Sequence, residues 1–216
     1  MKNKLSKINV GIDLDNTIIS YNNSFLRLAK KYNLSKTRSL NKNIIKKKII
    51  KKFGMSEWTR CQGEIYGKEI LINNSHKDVK KNLIFLKKKF NIFLISHRSK
   101  YPYLGKKINL HERAIQWLNK KKFLGKNEIF TKKNVFFETS LQKKIKRINK
   151  LNCKIFIDDL SLVLKKLPRS TTKIHFSNKI EYAFPGYYVM RKWKFLPLIL
   201  KKFFKHNEKS GFFKKE

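Results

Sequence analysis

Apolar residues along this chain fall into short runs separated by longer, lysine-rich amphipathic stretches. The runs at 8–13, 91–96, 134–137, 154–158 and 173–176 read as buried strands, because a strand covered on both faces is continuously apolar rather than alternating. The stretches at 78–89, 110–122, 141–151 and 160–166 repeat their apolar residues three and four apart, the period of a helix with one buried face. Such alternation implies an α/β protein, a Rossmann-like three-layer parallel sheet between helices. The interval between the first two strands is too long for a simple crossover and holds helical stretches at 22–32 and 42–52. It is expected to form a small helical cap inserted after the first strand. The division that follows is a discontinuous core of 1–20 and 77–205, a cap of 21–76 and a basic C-terminal tail of 206–216. No internal repeat is visible.

The segment from Tyr187 to Glu216 mixes aromatic residues with many lysines. Helical spacing puts Leu196, Leu200 and Phe203 or Phe204 on one face, which reads as a final helix docked on the sheet. A second reading makes the last stretch a basic amphipathic anchor for anionic lipid, a peripheral membrane contact. A chain of 216 residues suffices for one core with a modest insertion. No apolar run approaches the roughly 20 residues of a transmembrane segment, and Met1 to Lys4 lead straight into the first strand without the apolar segment of a signal peptide. The expectation is a cytoplasmic protein, with Cys61 and Cys153 as buried free thiols.

Charge changes the picture. The chain has 53 Lys plus Arg against 14 Asp plus Glu, a formal charge of +39. Such a field favours anionic partners: phosphorylated metabolites, nucleic acid or an acidic membrane surface. A solvated lysine coat with no dedicated partner accounts for the same number. Carboxylates are therefore scarce, and four of the five aspartates form two close pairs, Asp13 with Asp15 and Asp158 with Asp159. Each pair ends a predicted strand, so both would meet in the crevice at the carboxyl edge of the sheet, where open α/β sheets bind ligands. Adjacent carboxylates raise one another's pKa unless a cation lies between them. The pairs point to a Mg²⁺ site for phosphate chemistry.

The run Gly11-Ile12-Asp13-Leu14-Asp15-Asn16-Thr17 resembles the first signature of the haloacid dehalogenase superfamily of phosphohydrolases. Taken alone it also reads as a strand ending in a capped turn. Three further signatures stand in the order the superfamily requires. Ile92 to Ile95 leads into Ser96, Lys144 opens the helix before the second acidic strand, and Asp158-Asp159 closes the set. In so lysine-rich a chain, Lys144 adds little to the match.

The resemblance implies a Mg²⁺-dependent phosphatase acting on a small phosphorylated metabolite through an aspartyl-phosphate. Asp13 would be the nucleophile and a metal ligand, and Asp15 the general acid and base, with its backbone carbonyl on the metal. Ser96 would hydrogen-bond a phosphate oxygen, Lys144 would offset charge, and Asp158 and Asp159 would complete the metal site. Asp15 favours phosphate chemistry over dehalogenation, since haloacid substrates need no proton donor there. Asn16 stands where many relatives carry Gly and tolerates the turn; with Thr17 it would face the substrate. His97 and Arg98 follow Ser96 and would either touch substrate, Arg98 by bidentate contact to an anion, or anchor a loop. The patch Trp58 to Gly67 reads as a substrate-facing turn offering Gln62 and Tyr66, or as packing within the cap. The alternatives are a phosphatase of nucleic-acid ends or nucleotides and a non-catalytic basic nucleic-acid-binding protein on a hydrolase fold. An insertion over the site weighs against the first, and retention of the acidic residues against the second.

Overall fold

In the computed structural model, which describes residues 7–34, 41–178 and 186–209, an apolar strand β1 (Asn9–Ile12) opens the fold. It leads through β2 (Ile19–Ser20) into helices α1 (Asn22–Lys31) and α2 (Lys42–Tyr66), and the chain returns at β3 (Asn74–Ser75). Regular alternation follows: α3 (Val79–Lys89), β4 (Asn91–His97), α4 (Leu110–Lys120), β5 (Val135–Glu138), α5 (Leu141–Lys150), β6 (Ile155–Asp158), α6 (Ser161–Lys165), β7 (Thr172–Phe176), β8 (Tyr187–Met190) and α7 (Leu196–Lys209). Six strands form one sheet in the order β5-β4-β1-β6-β7-β8, every pairing parallel.

The strands are apolar on both faces because both are covered. Ile92 and Leu94 of β4 with Ile155 and Ile157 of β6 pack on one side with residues of α3, α4 and α7. Ile95 and Phe156 turn to the other side, onto Ile148 of α5 and Val163 and Leu164 of α6. This is the expected three-layer architecture. One strand of this sheet was not expected: β8 occupies the start of the 187–216 segment read as a final helix, where its Tyr-Tyr-Val-Met pairs with β7. The final helix does dock, burying Leu196, Ile199, Leu200 and Phe203. It continues to Lys209, past residue 206 where the tail was placed, and 210–216 lie outside the described residues. Among the described residues no helix is long and apolar enough to cross a membrane. Cys61 and Cys153 are buried and unpaired.

The insertion leaves and re-enters through the antiparallel pair β2 and β3, with Ile19 opposite Ser75. Its second helical stretch does not end near residue 52. It runs to Tyr66, broken at Gly54, whose φ of 85° and ψ of 170° suit glycine. The patch from Trp58 to Tyr66 is therefore helix and not the expected turn. Trp58, Cys61 and Ile65 face inward at helical spacing, and Trp58 stacks on Phe25 of α1 with centroids 6.1 Å apart. Gly63 lets this helix approach the loop after β4. A Cβ there would lie 2.9 Å from Cβ of Pro102 and 3.1 Å from the Leu104 carbonyl oxygen. Gly63→Ala is expected to cost about 1–3 kcal/mol as that loop is pushed away, read as an earlier midpoint in chemical denaturation. An unchanged midpoint would mean the loop moves freely.

Candidate active site

The carboxyl ends of three adjacent strands, β4, β1 and β6, bring Ser96, Asp13 and Asp158 to one place. Asp13 continues the β1 ladder, its N–H donating to the Ile157 carbonyl at 2.9 Å. Ser140 caps α5 by accepting from the Lys143 N–H, which fixes the first turn of that helix and aims Lys144 inward. The Lys144 ammonium donates to Asp13 Oδ1 and to Asp158 Oδ2, both at 2.6 Å. Its side chain is 1% exposed. Of the three lysines near the start of α5, the fold thus selects one. Asp158 Oδ1 also accepts from the Leu160 N–H at 2.8 Å.

Oxygen atoms of Asp13, Asp158 and Asp159 all lie within 4.8 Å of one another. Burial, opposed by Lys144 and reinforced by the charges of Asp158 and Asp15, pushes Asp13 up to about 7. Burial and the charges of Asp13 and Asp158 raise Asp159 well above the usual range, against the pull of Lys42 and Lys144. The Lys144 ammonium thus bonds only two of three crowded carboxylates. A hard divalent cation prefers all-oxygen donors of this kind, and the donor set fits Mg²⁺.

Asp15 faces a different cation. Arg98 Nη2 donates to Asp15 Oδ1 at 2.5 Å and Nε to Oδ2 at 3.3 Å, while the Tyr21 hydroxyl donates to Oδ1 at 2.6 Å. Burial favours the protonated acid, but Arg98, with help from Tyr21 and Lys42, holds the Asp15 carboxyl below the usual carboxylate range. Arg98 Nη1 reaches the carbonyls of Tyr66 and Leu110, at 3.2 and 3.1 Å. One guanidinium joins β1's loop, the insertion and α4. Its bidentate partner is Asp15, which favours the loop-anchoring reading of Arg98 over the bidentate grip on a substrate anion.

Asp13, Asp15, Asn16, Ser96, His97, Arg98, Lys144 and Asp159 line a cavity of about 310 Å³, with Gln62 and Tyr66 on the insertion side. Asp158 lies beneath, bound to Lys144. Asn16 takes the left-handed turn at φ 61°. Thr17 does not reach the cavity. It is fully buried, its hydroxyl has no hydrogen-bond partner among the described residues, and its carbonyl accepts from Trp193 Nε1 at 2.9 Å. The expected substrate contact by Thr17 is therefore corrected.

Several supporting residues had no sequence signal. Lys42 and Thr59 also line the cavity, and Tyr21 holds Asp15. Three histidines brace the site's loops through carbonyl oxygens: His76 to Asn16 at 3.0 Å, His111 to Arg98 at 2.8 Å and His175 to Asp159 at 3.0 Å. A carbonyl only accepts, so each Nε2 must carry the proton.

The parallel order, the insertion after β1 and the clustering at the carboxyl edge together define the fold of haloacid dehalogenase superfamily hydrolases. Three solved structures illustrate the likeness. A Clostridium difficile protein assigned as a phosphatase shares 13% identity at a TM-score of 0.56, over 91% of this chain and 100% of that one. A Geobacter sulfurreducens HAD-superfamily hydrolase of subfamily IA shares 11% at 0.54, over 90% and 96%. A Bacillus subtilis protein assigned as a HAD hydrolase and bound to magnesium shares 13% at 0.53, over 90% and 99%. No protein-family model and no curated protein matches the sequence significantly.

Proposed function

We propose that the protein is a Mg²⁺-dependent phosphatase that hydrolyses a small phosphorylated metabolite through an aspartyl-phosphate intermediate. The observation that carries this reading is the cluster of buried Asp13 and Asp158, joined by Lys144, with half-buried Asp159 beside them and Asp15 close by on its own cation. The magnesium in the Bacillus subtilis structure and the phosphatase assignment of the Clostridium difficile protein agree with it.

Asp13 attacks phosphorus, forming an oxygen–phosphorus bond as the ester bond breaks, and Asp15, ionised at rest beside Arg98, collects the proton of the monoanionic phosphate ester and passes it to the leaving oxygen. Water then attacks the aspartyl-phosphate while Asp15 takes its proton, releasing orthophosphate and restoring Asp13. The Arg98 pair keeps Asp15 oriented and favours the ionised form that this second step needs. Ser96, 1% exposed in the cavity wall, donates to a phosphoryl oxygen, and Lys144 offsets the charge that develops beside Asp13. Asp13, Asp158, Asp159 and the Asp15 backbone carbonyl would hold Mg²⁺, which when bound neutralises phosphoryl charge and polarises the phosphorus. The insertion, as a cap of about residues 21–76, closes the cavity over small molecules, with His97 and Asn16 at its edge and Gln62 and Tyr66 facing the leaving group.

The test is hydrolysis of p-nitrophenyl phosphate. Turnover is expected with Mg²⁺, silenced by EDTA and restored by added Mg²⁺. Turnover indifferent to chelation would remove the metal from the scheme, and no turnover under any metal would remove the phosphatase reading.

A further inference from the structure

We propose that Lys42 anchors a second anionic group of the substrate, so that the molecule hydrolysed carries a carboxylate or another phosphate on the part that leaves. This rests on the phosphatase reading and adds the chemistry of the leaving group.

Three cationic side chains, Lys42, Arg98 and Lys144, line the cavity besides His97. Lys144 and Arg98 are each matched to a carboxylate by the short ion pairs described above. Among the described residues, no ion pair within 4.0 Å includes Lys42. Its position makes that costly. Lys42 is the first residue of α2, where the helix dipole disfavours a cation, and the first turn holds no acidic residue to compensate. The side chain is half-buried, and its ammonium stands 5.7 Å from the centroid of the Phe25 ring. A cation drawn from water without a counter-ion is unfavourable unless a ligand supplies one.

The ammonium stays charged. Burial alone would lower the Lys42 pKa, but the Tyr66 hydroxyl and the fields of Asp159 and Asp15 raise it. Neither carboxylate is free to serve as its partner: Asp15 is held by Arg98, and Asp159 belongs to the acidic cluster. Lys42 stands on the insertion side, away from the strand ends that hold the scissile phosphate. Thr59, Gln62 and Tyr66 share that wall and offer neutral hydrogen bonds to whatever joins the two anionic groups. Tyr66 is held in place, edge-on to Tyr21 at 4.9 Å and 5.6 Å from the Arg98 guanidinium. A cavity of about 310 Å³ is at the small end for ligand sites and suits a compact metabolite with both groups inside.

The experiment compares matched ligands by titration calorimetry with Mg²⁺ at an ionic strength of about 0.15 M, in an Asp13→Asn background so that nothing is consumed. The pairs are 3-phosphoglycerate against glycerol 3-phosphate, and fructose 1,6-bisphosphate against fructose 6-phosphate; the two arms separate a carboxylate from a phosphate. In at least one pair the more charged member is expected to bind roughly tenfold tighter or better. Lys42→Met should erase that preference, and Lys42→Arg should keep most of it. A chain of charge +39 attracts any extra negative charge, so only the part lost with Lys42 counts. Should Lys42→Met fail to fold, Lys42→Gln carries the same comparison.

Equal affinity within both pairs, or a preference that survives loss of the ammonium, overturns the proposal. Equal weakening of both members also overturns it, since that places Lys42 on the transferred phosphoryl group. Turnover of p-nitrophenyl phosphate by the wild-type protein is scored separately. Its absence with the preference intact sinks the phosphatase reading and keeps the anion subsite; its presence without the preference does the reverse.

Discussion

Asp13→Asn is expected to lower phosphatase turnover by on the order of 10³-fold or more, because in the proposed mechanism it removes the attacking carboxylate. The fold should survive. The substitution preserves shape, and Asp158 remains bonded to Lys144. The stability effect has a definite sign. The Asp13 carboxyl is raised from 3.8 to about 7 in the folded state, with burial as the leading cause. An acid whose pKa rises on folding weakens the fold as pH climbs from the unfolded value through the folded one, and the full penalty is present above it. Without metal at pH 8, the Asn variant should therefore melt no lower than the wild-type protein. Thermal unfolding in EDTA beside a p-nitrophenyl phosphate assay reads both effects. Wild-type turnover by the variant would sink the nucleophile assignment. A large fall in melting temperature with lost turnover would mean that Asp13 holds the fold together rather than attacks.

Much of this centre was legible in the sequence because its cause is local. The runs that became β1, β4 and β6 are continuously apolar, and their ends carry the scarce carboxylates and Ser96, so order and spacing sufficed to bring these residues together. What was missed depends on contacts distant in sequence or on misread glycines. Gly63 and Gly67 made the stretch from Trp58 look like a turn, although Trp58, Cys61 and Ile65 repeat at helical spacing against Thr59, Gln62 and Tyr66. The strand β8 was hidden among the aromatic and basic residues of the final segment. Thr17 belongs to the first signature by position, yet the turn at Asn16 sends it into the core. The bracing by His76, His111 and His175 ends on backbone carbonyls, which every residue has, so no pattern of residue types announces it.

Arg98→Met should be the most damaging single change in the cavity wall. The wild-type guanidinium is 3% exposed in its side chain and Asp15 is 18% exposed, so the ion pair is largely withdrawn from water. Removing one partner leaves Asp15 with the Tyr21 hydroxyl and a weak contact from Ser96 at 3.4 Å. It also leaves the carbonyls of Tyr66 and Leu110 without their donor. Breaking a buried pair from one side costs about 3–5 kcal/mol, visible as an earlier midpoint in urea. Arg98→Lys restores charge but not the fork that spans Asp15 and two carbonyls, so it should recover only part of the loss. Kinetics separates the two roles that Arg98 can play. If it acts through Asp15, the lysine variant loses kcat while KM for p-nitrophenyl phosphate changes little, because the aim of the proton donor and acceptor is spoiled and ground-state binding is not. If the guanidinium leaves Asp15 to bind the substrate's phosphate, KM rises and kcat is largely kept. The filled fork favours the first result, and a rise in KM alone would show that the Arg98–Asp15 pair opens when substrate arrives.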